Sequence, residues 1–392
     1  MNAHMQRELG RRTLDLIDRR TTDLAEHTME EPLDGYRSPE QFELERRIVF
    51  NRYPMFVGLT RDLPEPGSWL TFDATSTPML LTRDASGRVR AFLNMCQHRG
   101  VRVVEPGCGT GARRFTCPFH AWVYDLEGRL VGLPGAEGFS DMRREDRGLI
   151  ELPAEERHGM IFASANPDAP FTVDEYLAGL GEQFASFGFE TWHPIAATHP
   201  HPVATNWKVV WGTHCETYHF AHLHRETARP LVYSNTSIAD FYGEHALMTS
   251  TMRTVDRLRE TPEEDWRPVD DGQINLNYRL FPNLSFSVVG DRLEIFTIYP
   301  GQGLHETVAL HYAYRRELPA SPQEAKELEE AVRWACQTVV DKEDYEMATR
   351  AGLGLRSPFV PKTLVFGRNE PVMQHMARTL RQVLGSAVAQ PA

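Results

Sequence analysis

From Ser38 the apolar residues recur at helical intervals. Phe42, Leu44, Ile48 and Val49 give a short helix its apolar faces. Ser38 predicts the N-cap, Pro39 the first helical position and Gln41 the far side of a capping box. From Trp69 the pattern shortens to apolar runs that predict strands over 69–72, 79–82 and 88–92, with an Asp84-Ala85-Ser86-Gly87 turn between the last two. Further strands are predicted over 115–117, 122–124 and 130–131, with a turn at Glu127-Gly128. Together they describe a small antiparallel β domain.

The segment Asn166-Pro167-Asp168-Ala169-Pro170 breaks this pattern and marks a domain boundary. Thr172 and Glu175 then predict the cap of a helix carrying Tyr176, Leu177, Leu180, Phe184 and Phe187 on one side. Strands are expected over 274–280, 284–289, 293–299 and 308–314, and Ser321 with Glu324 starts a long helix. The second domain is therefore an antiparallel sheet with helices, and the chain is α+β in class. The expected division is a polar, partly helical arm over 1–37, a β domain with its leading helix over 38–165, and a larger domain over 166–392.

Length and charge narrow the picture. A chain of 392 residues exceeds one ordinary core. A net charge of −12 argues against nucleic acid or an anionic membrane as partner. No apolar run is long enough for a membrane span, and the charged first twenty residues lack the apolar core of a secretory signal. Five cysteines, Cys96, Cys108, Cys117, Cys215 and Cys336, make no disulfide framework, so a reducing cytoplasm is expected.

Two clusters carry chemistry. Cys96-Gln97-His98-Arg99-Gly100 and Cys117-Pro118-Phe119-His120 set two Cys/His pairs eighteen residues apart. They match the ligand set of a Rieske-type [2Fe–2S] cluster, with Cys96 and Cys117 on one iron and His98 and His120 on the other. A structural zinc with the same four donors is the rival.

The second cluster is Glu216-Thr217-Tyr218-His219-Phe220-Ala221-His222-Leu223-His224, preceded by Asn206-Trp207-Lys208. Two histidines and a carboxylate are the donor set of a non-haem Fe(II) site. Asp344 is the favoured distant acid because it lies on an apolar stripe with Val340 and Met347, and Asp341 is its nearest competitor. On an α-helix, His222 lies about 60° from His219 and His224 about 140° away. Regular geometry thus favours His219 with His222, and His224 needs a break in the helix. His199, His201 and His214 read as structural or solvent-facing.

These motifs resemble the catalytic α subunit of the Rieske non-haem iron oxygenases, the aromatic-ring-hydroxylating family, over most of residues 40–360. The resemblance implies a helix-grip catalytic domain. It selects His219 and His224, separated by four residues, and carries Asp344 over from the pair Glu343-Asp344 ahead of Gly354-Leu355-Arg356-Ser357. It makes Glu216 the acid that links the two centres, hydrogen-bonded to a ligand histidine on its own side and to a cluster histidine of a neighbouring subunit. It implies a trimer, with or without a β subunit. Two positions depart from the family pattern: Gly212-Thr213 replaces a usual Glu-Asn, and Gly352 replaces a glutamine.

The expected function is the terminal component of a multicomponent oxygenase. It uses O2 to hydroxylate an aromatic or other apolar substrate. Electrons from NAD(P)H come through a separate reductase or ferredoxin, because the chain has no Gly-x-Gly-x-x-Gly after a strand and no plant-type cysteine run. O- or N-demethylation of the quaternary-amine type is the alternative, and an electron carrier without oxygenase activity is the rival class. Phe220, Phe241, Tyr242, Leu247, Met248, Met252, Leu284 and Phe296 are candidates for lining a substrate pocket.

Overall fold

Strand Val89–Leu93 pairs with Met79–Arg83, which pairs in turn with Trp69–Phe72. Short strands at 151–152 and 108–109 complete this five-stranded antiparallel sheet. Asp84 closes the turn between 79–83 and 89–93 by accepting hydrogen bonds from the backbone N–H groups of Ser86 and Arg88. A second, three-stranded sheet runs Arg114–Thr116, Val123–Asp125 and Leu130–Gly132. A third joins Met55–Leu59, Met160–Ala163 and Ala154–Arg157.

The computed structural model describes residues 1–75, 77–169 and 171–389; Pro170 of the expected breaking segment lies outside them. The chain forms two compact units. The smaller comprises Phe50–Tyr176 and Gly188–Thr191, and the larger comprises the remainder. The division differs from the expected one, because residues 1–49 group with the larger unit and the main break falls after Tyr176 rather than after residue 165. The supposed arm begins with helix Ala3–Asp18, capped by Asn2. Its Gly10 fits closely against Trp266, and Gln6 bonds Asp270 at 2.7 Å.

Helix Pro39–Glu45 starts at Ser38 as the spacing predicts, with the Ser38 side chain accepting from the Gln41 N–H. The single helix expected from 172 is instead two, Val173–Tyr176 and Gly181–Phe187. Ala178 and Gly179 between them have φ of +47° and +93°, left-handed values that no α-helix accommodates.

The larger unit is built on an antiparallel sheet. In order it runs Thr307–Arg315, Arg292–Pro300, Leu284–Val289, Ile274–Leu280 and His245–Met252, with His199–Val203 on the outer side of Thr307–Arg315. Strand His245–Met252 escaped the sequence pattern because seven of its eight residues are buried, so polar and apolar positions do not alternate. The long helix after Ser321 has three parts: α over Pro322–Trp334, π over Ala335–Tyr345 and α over Glu346–Leu355. Helix Trp207–Thr213 packs against strand Arg292–Pro300 and against the later parts of this long helix. Among the described residues, no helix is long and apolar enough to cross a membrane.

Candidate metal centres

Asn206-Trp207-Lys208 anchors the segment that leads into the histidine cluster. The Asn206 side chain caps helix Trp207–Thr213 by accepting from the Lys208 N–H. Trp207 Nε1 donates to Glu45 at 2.8 Å, and Lys208 Nζ lies 2.6 Å from both Glu45 oxygens. Glu45 is fully buried. Removing one partner of such a pair costs about 3–5 kcal/mol, because a charge is left without compensation. The motif thus fixes a helix end rather than touching a metal.

After that helix, Tyr218–Ala221 forms one 3-10 turn instead of a continuous α-helix, and His222 caps it. The break brings His224 round to His219. Their Nε2 atoms lie 3.1 Å apart, and Asp344 Oδ1 sits 3.3 Å from His219 Nε2 and 3.1 Å from His224 Nε2. Edges near 3 Å are what three donors about 2.1 Å from one ion make at right angles to each other. Asp344 Oδ1 is buried and, although close to both rings, has no hydrogen bond in acceptable geometry. An oxygen orphaned in this way, facing two imidazole nitrogens, fits a cation. His219, His224 and Asp344 could therefore hold a mononuclear Fe(II), with the far side of the ion left open.

Carboxylates fix both rings from behind. Glu216 pairs with His219 Nδ1 and accepts from the His219 N–H at 3.1 Å. Glu343 Oε2 lies 2.8 Å from His224 Nδ1 and accepts from the Thr227 hydroxyl at 2.7 Å. A carboxylate on the far nitrogen sets the tautomer and raises the basicity of the near one. Burial lowers the pKa of His219, but Asp344 and Glu216 outweigh it and hold it up at about 10. His224 is raised for the same reason, with Asp344 and Glu343 opposing burial. Burial pushes Asp344 up, and the two imidazoles pull it below the ordinary carboxylate value. The site as a whole favours positive charge.

Glu343 is the functional residue that the sequence reading overlooked. It entered only as half of the Glu343-Asp344 pair. A Thr three residues after His224 was the available signal. Asp341, the competing acid, belongs elsewhere: it pairs with His201 Nδ1 at 2.6 Å. Gly352 is explained by packing, since a Cβ there would meet the Thr205 side chain at 2.2 Å.

In the smaller unit the two Cys/His loops share one backbone design. Cys96 N donates to Val101 O, and Gly100 N donates to Cys96 O. Cys117 N donates to Trp122 O, and Ala121 N donates to Cys117 O. The fifth residue of each loop is left-handed, Gly100 at +72° and Ala121 at +54°. Cys96 and Cys117 are free thiols within a buried cluster that includes Phe92, Phe115, Trp122 and Tyr124. His98 and His120 are half-buried, with their Nδ1 atoms 3.1 Å apart. The His98 ring stacks on Trp122 at 4.9 Å and 8°. Among the described residues, three sets of donors converge within 4.8 Å, and these four residues form none of them. Donors in two pairs suit a two-iron unit better than one tetrahedral zinc.

A cavity of about 650 Å³ opens onto Glu216, His219 and Asp344. Its wall is largely apolar, from Val209, Leu223, Met347, Ala351 and Leu364, with Gly212 and Glu370 also contributing. None of the eight residues proposed from sequence as pocket lining takes part. Leu247, Met248 and Leu284 are core residues, and Phe296 stacks on His311.

Comparison with known proteins found family matches over both parts of the chain. Residues 189–386 match the family model described as the ring hydroxylating alpha subunit (catalytic domain), and residues 53–143 match the Rieske [2Fe-2S] domain. The chain is similar to the glycine betaine monooxygenase oxygenase subunit of Chromohalobacter salexigens, 32% identical over 57% of this chain and 48% of that protein. It is also similar to the biphenyl 2,3-dioxygenase alpha subunit of Rhodococcus jostii, 36% identical over 36% of this chain and 31% of that one. The matched stretch spans about half the length of the first of these curated relatives. In fold it resembles a quaternary ammonium Rieske monooxygenase in complex with L-carnitine, with a TM-score of 0.77, 20% identity and coverage of 93% and 96% of the two chains. Naphthalene 1,2-dioxygenase from Rhodococcus sp. has a TM-score of 0.73 at 18% identity, covering 99% of each chain.

Proposed function

The chain belongs to the ring-hydroxylating α-subunit family, and from that premise we propose that it is the terminal oxygenase of a multicomponent system. On this reading it uses O2 and electrons from NAD(P)H, delivered by a separate reductase or ferredoxin, to hydroxylate an aromatic or other apolar organic substrate. His219, His224 and Asp344 are the proposed ligands of a mononuclear Fe(II). Cys96, Cys117, His98 and His120 are the proposed ligands of the Rieske cluster. The observation that carries the reading is the triangle of donors around the orphaned Asp344 oxygen.

When bound, the cluster supplies single electrons and the ferrous ion supplies open positions for O2. The chain's own residues do the rest. Glu216 and Glu343 keep the His219 and His224 rings aimed at one point. The apolar wall of the adjoining cavity excludes water and takes the apolar part of a substrate. His98 and His120 are half-buried, so a cluster they helped to hold would be within reach of a redox partner. The proposed assembly is a homotrimer, or a complex with a β subunit, in which Glu216 links its own His219 to a cluster histidine of the neighbouring subunit.

N-demethylation of a quaternary amine is the second reading. It is favoured by Glu370, a carboxylate on the wall of an otherwise apolar cavity, and by a matched stretch that is longer for the glycine betaine subunit than for the biphenyl one. The test is substrate-dependent O2 uptake with a surrogate reductase, across aromatic acids, aromatic hydrocarbons and betaines. Asp344→Ala is expected to abolish uptake while the Rieske spectrum survives; full uptake in that variant overturns the assignment.

A further inference from the structure

A second group of donors lies in the larger unit, made of residues other than those of the His219 site, although the π-helical stretch Ala335–Tyr345 supplies one residue to each. His201 comes from strand His199–Val203, His311 from strand Thr307–Arg315, and Cys336 from the π-helical stretch. All three are almost fully buried, at 1%, 4% and 1% exposure. One donor atom from each lies within 4.8 Å of the others.

The hydrogen bonds decide which ring nitrogens are taken up by carboxylates. His201 Nδ1 pairs with Asp341 at 2.6 Å, which leaves Nε2 as the free nitrogen. That Nε2 is buried and has no hydrogen-bond partner. His311 pairs through Nε2 with Glu294, which leaves Nδ1 facing Cys336 Sγ at 3.0 Å. Each imidazole thus gives one nitrogen to a carboxylate, which leaves His311 Nδ1 on the Cys336 thiol and His201 Nε2 without a partner. This arrangement around metal-binding histidines orients the ring and strengthens it as a donor. The carboxylates reach partly to solvent, while the thiol and the other two ring nitrogens do not. Phe296 stacks on the His311 ring at 4.1 Å and 8° and closes one side.

We propose that His201 Nε2, His311 Nδ1 and Cys336 Sγ form a binding site for a divalent cation of the zinc class, separate from the His219–His224–Asp344 site. Two imidazoles and a thiolate are a zinc donor set, with a fourth position left for water. Binding deprotonates the Cys336 thiol and releases that proton to solvent, and it satisfies the orphaned His201 nitrogen. A bare Cys–His–Glu nucleophile is a poorer description, because Cys336 is 1% exposed and no substrate reaches it. The site does not depend on the oxygenase reading.

The experiment uses the full chain with its iron and cluster in place, equilibrated with Zn2+ and freed of loose metal. Zinc is counted by elemental analysis and examined by X-ray absorption at the zinc edge. About one zinc per chain is expected, with one sulfur neighbour at about 2.3 Å and nitrogen or oxygen at about 2.0–2.1 Å. The sulfur separates this site from the His219 site, which offers none, and from the cluster loops, which offer two. Cys336→Ser and His201→Gln are each expected to lower zinc retention at least tenfold, and Asp344→Ala to leave it in place. Absence of retained zinc in the unaltered protein, or zinc with no sulfur neighbour or with two, overturns the proposal whether or not the variants fold.

Discussion

Glu343 Oε2 lies 2.8 Å from His224 Nδ1, and the same oxygen accepts from the Thr227 hydroxyl. The bond commits the His224 proton to Nδ1 and leaves Nε2 free to meet a metal. Glu343→Ala is expected to weaken Fe(II) binding by about 10–100-fold. Iron titration of the iron-depleted protein measures it, with the visible spectrum of the cluster as control. An unchanged affinity would show that the ring is held by packing alone.

His222 and His224 make a direct contrast. Regular helix geometry prefers His222, but the 3-10 turn at 218–221 brings His224 Nε2 to 3.1 Å from both His219 Nε2 and Asp344 Oδ1. His224→Ala is expected to lose the mononuclear iron and turnover, and His222→Ala to keep the iron. The reverse pattern on iron analysis would return the site to His222.

Tyr124 acts on the other centre. Its hydroxyl accepts from the Gln97 N–H at 3.0 Å, so its own proton is free to point at Cys96 Sγ, 3.3 Å away. A hydrogen bond to a cluster sulfur stabilises the more negative, reduced state. Tyr124→Phe removes it and is expected to lower the reduction potential by roughly 40–60 mV, the one-electron equivalent of a bond worth about 1–1.5 kcal/mol. Protein-film voltammetry reads the shift, and an unchanged potential would mean that the proton points elsewhere.

Asp84 ties acid stability to the turn in the five-stranded sheet. Burial raises its pKa, but Ser86, Arg90 and two backbone N–H groups outweigh burial and bring it down to about 2. Its folded value lies below its unfolded value of 3.8. The carboxylate therefore contributes stability that is fully present above about pH 4 and is lost as pH falls towards 2. Asp84→Asn is expected to lower the urea midpoint at pH 7 and to differ less from the parent as pH approaches 2. A gap that stays constant over that range would assign the effect to packing.

What could be read from the sequence was what repeats locally. The Asp84–Gly87 turn, the Ser38 and Ser321 caps, and four strands of the larger sheet follow from spacing alone. Their signals lie within a few residues of the element they define. Strand His245–Met252 was hidden because both of its faces are covered. The break at Ala178-Gly179 was hidden because an alanine takes a left-handed value that its side chain disfavours. At the candidate iron site, spacing pointed to His219 with His222 and to Asp344 as the distant acid, and only the family resemblance selected His224. Glu216 lies three residues from the ring it orients, whereas Glu343 orients His224 through a contact between residues more than a hundred positions apart. The cavity lining failed for the same reason: apolar residues fill core and cavity alike, and only the packed sheet separates them.

The π-helical stretch Ala335–Tyr345 has a consequence for how length is tolerated in this chain. Each of its turns takes in more residues than an α-turn. Residues three apart, which would share a face of an α-helix, are swung to different sides. Asp341 is thereby free to meet His201, while Asp344, three residues on, meets His219 and His224. The stretch works as a phase shifter between two acids. Deleting a residue there would change the angle between the two acids and turn one of them away from its histidine, so the length of this stretch is tied to both contacts.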